Sequence, residues 1–226
     1  MISRKKKPSP PAFVQDYREQ TQKLLSRKTP FENIRLVALD TEASGFEVGK
    51  DRILSIAVIE LTANQIKLDQ CVEWLVYQPG MVANKATEIH GILPSDTLRG
   101  LPETQMLEEL LPRMSGAIVV GHQIWFDAMM LNEALKRNYG IGFLNPTIDV
   151  ALMAMNELQP FRKTGYINQR PPSIEDICAH LTLPITERHT AEGDAYMAAE
   201  IFLLLCGHIR RRRGRLKQKD LPIKKP

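Results

Sequence analysis

Three strand-like runs follow one another early in the 226-residue chain: Ile34–Asp40, Ile53–Leu61 and Lys67–Tyr77. The links between them are short and polar, so neighbouring runs should pair antiparallel. Pro79-Gly80 closes this section, and the pattern then changes. Helical composition over Thr104–Leu111 leads to a fourth, short apolar run, Ala117–Val120, ended by Gly121. Helical spacing follows from about Trp125 to Arg137, and a further helix is expected over Pro146–Asn156. Ser173-Ile-Glu-Asp176 has the S-x-x-D form of an N-terminal cap and predicts a helix to about His180. A last helix is expected from Gly193 to His208. Strands first and alternating helix and strand afterwards indicate an α/β fold, a mixed sheet with antiparallel leading strands and helices flanking it. Before the first strand, Phe13–Arg27 reads as a helix whose packing stripe is Phe13, Val14, Tyr17, Leu24 and Leu25, ended by Thr29-Pro30.

Charge divides the chain into three parts. Residues 1–30 form a basic arm and a helix, 31–209 the folded domain, and 210–226 a basic tail expected to be disordered. The first ten residues carry +4 and residues 210–226 carry +8, so a total of +4 leaves the body at −8. Basic ends suit a phosphate backbone, and they are equally compatible with plain solvated tails. No run of about 18 apolar residues is present, which excludes a membrane-spanning helix. The basic start lacks the apolar stretch of a secretory signal. Cys71, Cys178 and Cys206 stand singly in apolar surroundings and read as reduced core residues of a cytoplasmic protein.

Three short segments carry candidate chemistry. In Val37-Ala-Leu-Asp40-Thr-Glu42 an apolar strand ends in two carboxylates spaced i, i+2, which an extended chain places on one face. Such a pair repels unless a cation lies between, although an acidic strand end leading into a turn would look the same. In Gly121-His-Gln-Ile-Trp-Phe-Asp127 the aspartate falls in a first helical turn, where the helix dipole alone would favour it. In His189-Thr-Ala-Glu-Gly-Asp194 a loop histidine precedes an acid in another first turn, with Glu192 as a competing carboxylate. At strand ends and helix starts of an α/β sheet these positions can converge on one edge. Four carboxylates without cysteine ligands suit hard cations, Mg²⁺ or Mn²⁺, and a pair of such ions is an arrangement used for phosphodiester cleavage.

In these residues the chain resembles the DEDDh exonucleases, a family of ribonuclease H-like fold that includes the proofreading epsilon subunit of bacterial DNA polymerase III. Asp40 and Glu42 match the family's D-x-E at the end of the first strand, and Asp127 matches its second-motif aspartate. His189 to Ala195 match H-x-A-x-x-D-A in full, and Ile89-His90-Gly91-Ile92 matches an H-G-I segment after the third strand. The likeness runs from about Ile34 to Leu205. Two positions depart from it: Ala43 stands where threonine is usual and Gln123 where asparagine is usual, implying altered substrate contacts. The resemblance implies a metal-dependent 3′-to-5′ exonuclease. Asp40, Glu42, Asp127 and Asp194 would hold two divalent cations, and His189 would act as general base. Thr41, Ala43, Phe46 and His90 would contact a single-stranded DNA or RNA with a free 3′ end, and a DNA polymerase is a possible partner. Two other readings are an exonuclease-like accessory subunit of a polymerase and a non-catalytic nucleic-acid binder; the complete set of five site residues argues against the binder.

Other conspicuous residues are given structural roles. Asp149 is expected at a helix start, His122 beside the sheet end, His180 and His208 late in helices, and Met129 and Met130 in the core. Phe46 is either a wedge against a terminal base, as in the family, or a plug for its own loop.

Overall fold

The structure, a computed structural model, describes residues 10–26, 31–162, 164 and 169–226. The basic run Arg4–Lys7 therefore lies outside the described residues. In chain order the elements are α1 (Ala12–Ser26), β1 (Arg35–Ala43), β2 (Ile53–Leu61), β3 (Ile66–Leu75), α2 (Lys85–His90), α3 (Pro94–Thr97), α4 (Glu103–Met114), β4 (Ala117–Gly121), α5 (Trp125–Tyr139), β5 (Thr147–Asp149), α6 (Val150–Glu157), α7 (Ile174–Leu181), α8 (Ala191–Arg213) and β6 (Ile223–Lys224). Short 3₁₀ turns connect several of them.

One sheet runs β3-β2-β1-β4-β5-β6. The leading strands pair antiparallel as expected, whereas β1, β4 and β5 run parallel. Parallel pairing puts the C-terminal ends of β1, β4 and β5 along one edge, where ligands of open α/β sheets are held. Both faces are covered. On one, Leu36, Ala38, Ile59, Ile118 and Ile148 pack under α6, α7 and α8. On the other, Val37, Leu39, Ile56, Val58 and Val119 pack under α1, α4 and α5. Helix α1 is fixed by a buried polar network: the Tyr17 hydroxyl donates to Asn145 Oδ1 at 2.7 Å and accepts from the Leu144 N–H, while Asn145 Nδ2 donates to the Met114 and Ala117 carbonyls. Buried polar groups satisfied in this way specify one docking geometry.

Three expectations need correction. Thr147-Ile-Asp149 is not the start of a helix but the strand β5, paired with β4; the helix begins only at Val150, capped by the Asp149 side chain accepting from the Ala151 N–H. A three-residue buried strand that runs straight into a helix carries too little periodicity to separate the two. Segment 210–226 is not a disordered tail. Helix α8 continues to Arg213, Gly214 (φ 74°) turns the chain, Leu216 and Leu221 are buried, and β6 pairs antiparallel with β5. Its charge masked two core leucines. Finally, Met130 is buried but Met129 is 44 % exposed, because consecutive helical residues point to different sides. Cys178 and Cys206 are buried and Cys71 is half-buried, all three free. Among the described residues no helix is long and apolar enough to cross a membrane.

Candidate active site

Strand alternation decides which acids meet. Asp40 and Glu42 continue the Leu36, Ala38 side of β1, which α8 covers; Thr41 and Ala43 continue the Val37, Leu39 side, which α5 covers. Asp194, in the first turn of α8, therefore meets Asp40 and Glu42. One carboxylate oxygen from each of the three lies within 4.8 Å of the others. Asp127, in the first turn of α5, arrives from the opposite side of β1 and is buried. Its Oδ1 accepts from the Thr41 N–H at 2.9 Å and from the Thr41 hydroxyl at 2.7 Å. The β1–β2 register slips between Glu42 and Ala43, and an irregularity of this kind bends a strand end and re-aims its side chains. Gly121, at the end of β4, has no room for a side chain: a Cβ would lie 2.9 Å from the Leu39 carbonyl oxygen.

The four acids open on one cleft of about 530 Å³, together with His189, His90, Phe46, Trp125 and Phe126. Their crowding has an electrostatic cost. Burial raises Asp40 well above the ordinary carboxylate range, and the charges of Asp127, Asp194 and Glu42 raise it further. Burial, with Asp194 and Asp127 beside it, pushes Glu42 up to about 8. Burial also pushes Asp127 up to about 7, against the pull of its hydrogen bonds from Thr41. Arg188 opposes the rise at Asp40 and Glu42. Its Nε donates to Glu175 Oε1 at 2.7 Å and its Nη1 to Asp194 Oδ1. An all-oxygen cluster whose members resist ionisation beside one another, with no thiol among its donors, is what a hard divalent cation relieves. The residues present thus fit such an ion, and Asp40, Glu42 and Asp194 are the carboxylates close enough to share one.

His189 is exposed and takes φ 62°, a conformation that non-glycine residues seldom adopt. The loop that presents it is held from both ends. Thr190 caps α8 through its hydroxyl, accepting from the Gly193 N–H at 3.1 Å and donating to the Glu187 carbonyl at 2.7 Å. Gly193 lets the loop lie against the helix start, since any Cβ there would overlap the Glu187 carbonyl.

The other singled-out residues fall as follows. Thr41 is buried yet lines the cleft, and both its donors go to Asp127 Oδ1, so it positions that acid. Ala43 is buried and lines the cleft. Phe46 is 72 % exposed, which excludes a loop plug, and its ring stands 6.4 Å from that of Phe126. His90 accepts the Ile92 N–H on Nδ1 at 3.0 Å, which places the proton on Nε2; that atom is buried and makes no hydrogen bond. Glu192 turns away from the acid cluster, accepting from the Cys71 thiol in a separate cavity. His122 contacts the Pro172 carbonyl at 2.8 Å. The Asp149 carboxylate, besides capping α6, accepts from the Gln123 N–H at 3.3 Å. Sequence reasoning missed Arg188, although it adjoins His189 and is a cation beside predicted acids. It also missed Trp125, 59 % exposed and 5.9 Å from the Phe126 ring, and Asn84, which caps α2 and donates to the Ser44 carbonyl to fix the cleft wall.

Comparison with known proteins agrees with this geometry. A family model described as Exonuclease, RNase T type, matches residues 37–202. A PolC-type DNA polymerase III of Thermotoga petrophila is 28 % identical over 183 residues, covering 79 % of this chain and 12 % of the polymerase. A DNA polymerase III epsilon subunit of Aquifex aeolicus is 27 % identical over 168 residues, 74 % of this chain and 78 % of the subunit. The chain thus spans a small part of the first of these relatives and most of the second. Escherichia coli exonuclease I, solved with a dT13 oligonucleotide, superposes with a TM-score of 0.62 at 17 % identity over 80 % of this chain and 42 % of its own. The fold is that of the ribonuclease H-like exonucleases.

Proposed function

Because this chain belongs to the RNase T exonuclease family, we propose that it is a 3′-to-5′ exonuclease that removes nucleoside 5′-monophosphates from a single-stranded nucleic acid. One observation carries the reading: Asp40, Glu42 and Asp194 bring carboxylate oxygens within 4.8 Å of one another, in a cleft shared with Asp127 and His189. Neither a scaffold nor a passive binder of polyanions gains from a cluster that repels phosphate unless a cation is added.

Asp40, Glu42 and Asp194 would hold Mg²⁺ or Mn²⁺, with Asp127 as a fourth carboxylate from the α5 side. Two such ions supply a lowered water pKa and stabilisation of charge on the departing 3′ oxygen. The protein's own residues do the rest. His189, exposed on its braced loop, takes the proton of the attacking water as general base. Thr41 holds Asp127 in one orientation, as outer-shell donors do for ligating carboxylates. His90 forms part of the cleft wall. Phe46, Phe126 and Trp125 present ring surfaces on which unstacked bases of a 3′ end can lie. A cytoplasmic setting accords with three free cysteines.

The test is digestion of 5′-labelled and 3′-labelled single strands of DNA and RNA with Mg²⁺, Mn²⁺ or EDTA. A ladder shortening from the 3′ end, dependence on the cation and slowing by a 3′-phosphate are expected. Release of a mononucleotide from the 5′ label, or unchanged cleavage in EDTA, would overturn the reading. The epsilon-subunit relative favours a second role, as the proofreading partner of a polymerase; co-purification of the chain with a replicative polymerase tests that role.

A further inference from the structure

Segment 210–226 carries nine Lys and Arg residues against one acid, Asp220, although the body of the chain is acidic. The structure folds this segment onto the domain. Leu216 and Leu221 enter the core, β6 extends the sheet, Arg212 pairs with Glu157, and Arg213 pairs with Asp220. Two cations are consumed by these contacts. Arg211, Arg215, Lys219, Lys224 and Lys225 point outward, and among the described residues they make no salt bridge.

Like charges held on a fixed surface repel. The dipole of α8 explains cations in its last turn, where the carbonyl end attracts them. It does not explain Arg215, Lys219, Lys224 and Lys225, which lie beyond the helix. The segment has also been placed far from the acids. From Asp194 to Arg211, α8 rises about 25 Å at 1.5 Å per residue. Lys224 pairs with Thr147, which is in register with Val119 and Val37, so it lies three strands across the sheet from β1 and three residues back from the level of Asp40.

We propose that this surface is a second nucleic-acid site, an anchor for the phosphodiester backbone of the strand whose 3′ end occupies the cleft. It rests on the exonuclease reading only for the choice of nucleic acid as the polyanion. Its geometry makes a demand on length. At about 3.4 Å per stacked nucleotide, roughly seven nucleotides span the distance, so a trinucleotide in the cleft cannot touch the anchor while a 20-mer can.

The experiment compares the wild type with a variant carrying Arg211→Ser, Arg215→Ser, Lys219→Ser, Lys224→Ser and Lys225→Ser. Binding of a labelled 20-nucleotide single strand is followed by anisotropy in EDTA, where no cleavage occurs, from 50 to 200 mM salt. Each lost phosphate contact lowers the log–log salt slope by about 0.7. A fall in slope of about 1.5 or more, and at least about tenfold weaker binding at 50 mM salt, is expected. Hydrolysis of a trinucleotide with Mn²⁺ should be equal in both proteins, which also reports an intact fold. A milder variant, Arg211→Lys with Arg215→Lys, should bind the 20-mer as the wild type does. Unchanged affinity and slope in the five-fold variant would overturn the anchor, as would a parallel loss of trinucleotide hydrolysis. Charge-dependent binding to phosphatidylserine vesicles in preference to the 20-mer would assign the surface to a lipid and overturn it as well. A wild type that cleaves no strand yet loses 20-mer binding with the five charges would instead remove the exonuclease reading and leave the anchor standing.

Discussion

Thr41 commits its N–H and its hydroxyl to one oxygen of Asp127, so the hydroxyl can be removed without disturbing the backbone donor. Thr41→Val keeps the shape of the side chain and should lower kcat or Mn²⁺ affinity by roughly 10–100-fold, the usual worth of a group that orients a metal ligand. Thr41→Ser should restore both; titration calorimetry and steady-state rates check this, and an active valine variant would show that Asp127 needs no such support. His189→Ala should bind cation and strand normally while losing about 10²–10⁴ in rate, the range of a positioned general base. Wild-type turnover in that variant would leave the proton to another group. The acids themselves predict a pH effect on stability. Glu42 titrates at about 8 in the folded chain against an ordinary value of 4.5, so between these values the folded state binds more protons than the unfolded. Stability in EDTA should therefore be greatest below about pH 4.5 for this group and fall as pH rises towards 8. Melting curves at pH 5 to 8 should show that decline, Glu42→Gln should flatten it, and Mn²⁺ should offset it at pH 8. A melting temperature that rises over this interval in EDTA would contradict the crowding of the acids.

At the scale of elements, the start of α8 carries the most consequence. Its Thr190 cap, its Gly193 and the loop 187–190 act together to set His189 and Asp194. Gly193→Ala would force the Glu187 carbonyl out of its place, because the new methyl and that oxygen cannot share the space. A loss of about 1–3 kcal/mol is expected, in the range of overpacking. Activity should fall by more than stability alone explains, since His189 and Asp194 move with the loop. Chemical denaturation beside activity of the folded fraction separates the two, and a fully active, equally stable variant would show that the loop does not depend on this contact. The motif H-x-A-x-x-D-A was legible as letters, but the glycine inside it was silent until the loop was seen to fold back on the helix. Strand β5 was illegible for a related reason: its three residues are apolar or capping residues that a helix start would also use. By contrast, β2 spans Ile53–Leu61 as its sequence predicted, because a long apolar run bounded by polar links admits few alternatives.

Over the whole molecule, segment 210–226 changes status from appendage to part of the domain. Removing residues 214–226 takes away β6, two buried leucines and the Arg213–Asp220 pair. Each large buried side chain is worth about 2–5 kcal/mol, and about 2–4 °C accompanies each kcal/mol in a domain of this size. The truncated chain should therefore melt at least about 5 °C lower; an unchanged melting temperature would return the segment to the status of a solvated tail. Composition could not reveal this, because dense positive charge and two isolated leucines look alike in a disordered tail and a docked one. Local order along the chain was enough to specify the mixed sheet, its antiparallel leading strands, and the carboxylates and histidine at strand ends and helix starts, since period and capping chemistry are properties of neighbours. Which acids meet was decided only in three dimensions. Alternation along β1 turns Asp40 and Glu42 to α8 and Thr41 to α5, so Asp194 joins the pair directly, Asp127 is held through Thr41, Glu192 is turned away to Cys71, and Arg188 is drawn in as the counter-charge. Each of these follows from the face that a packed element covers, and a face exists only once the sheet and its helices have assembled.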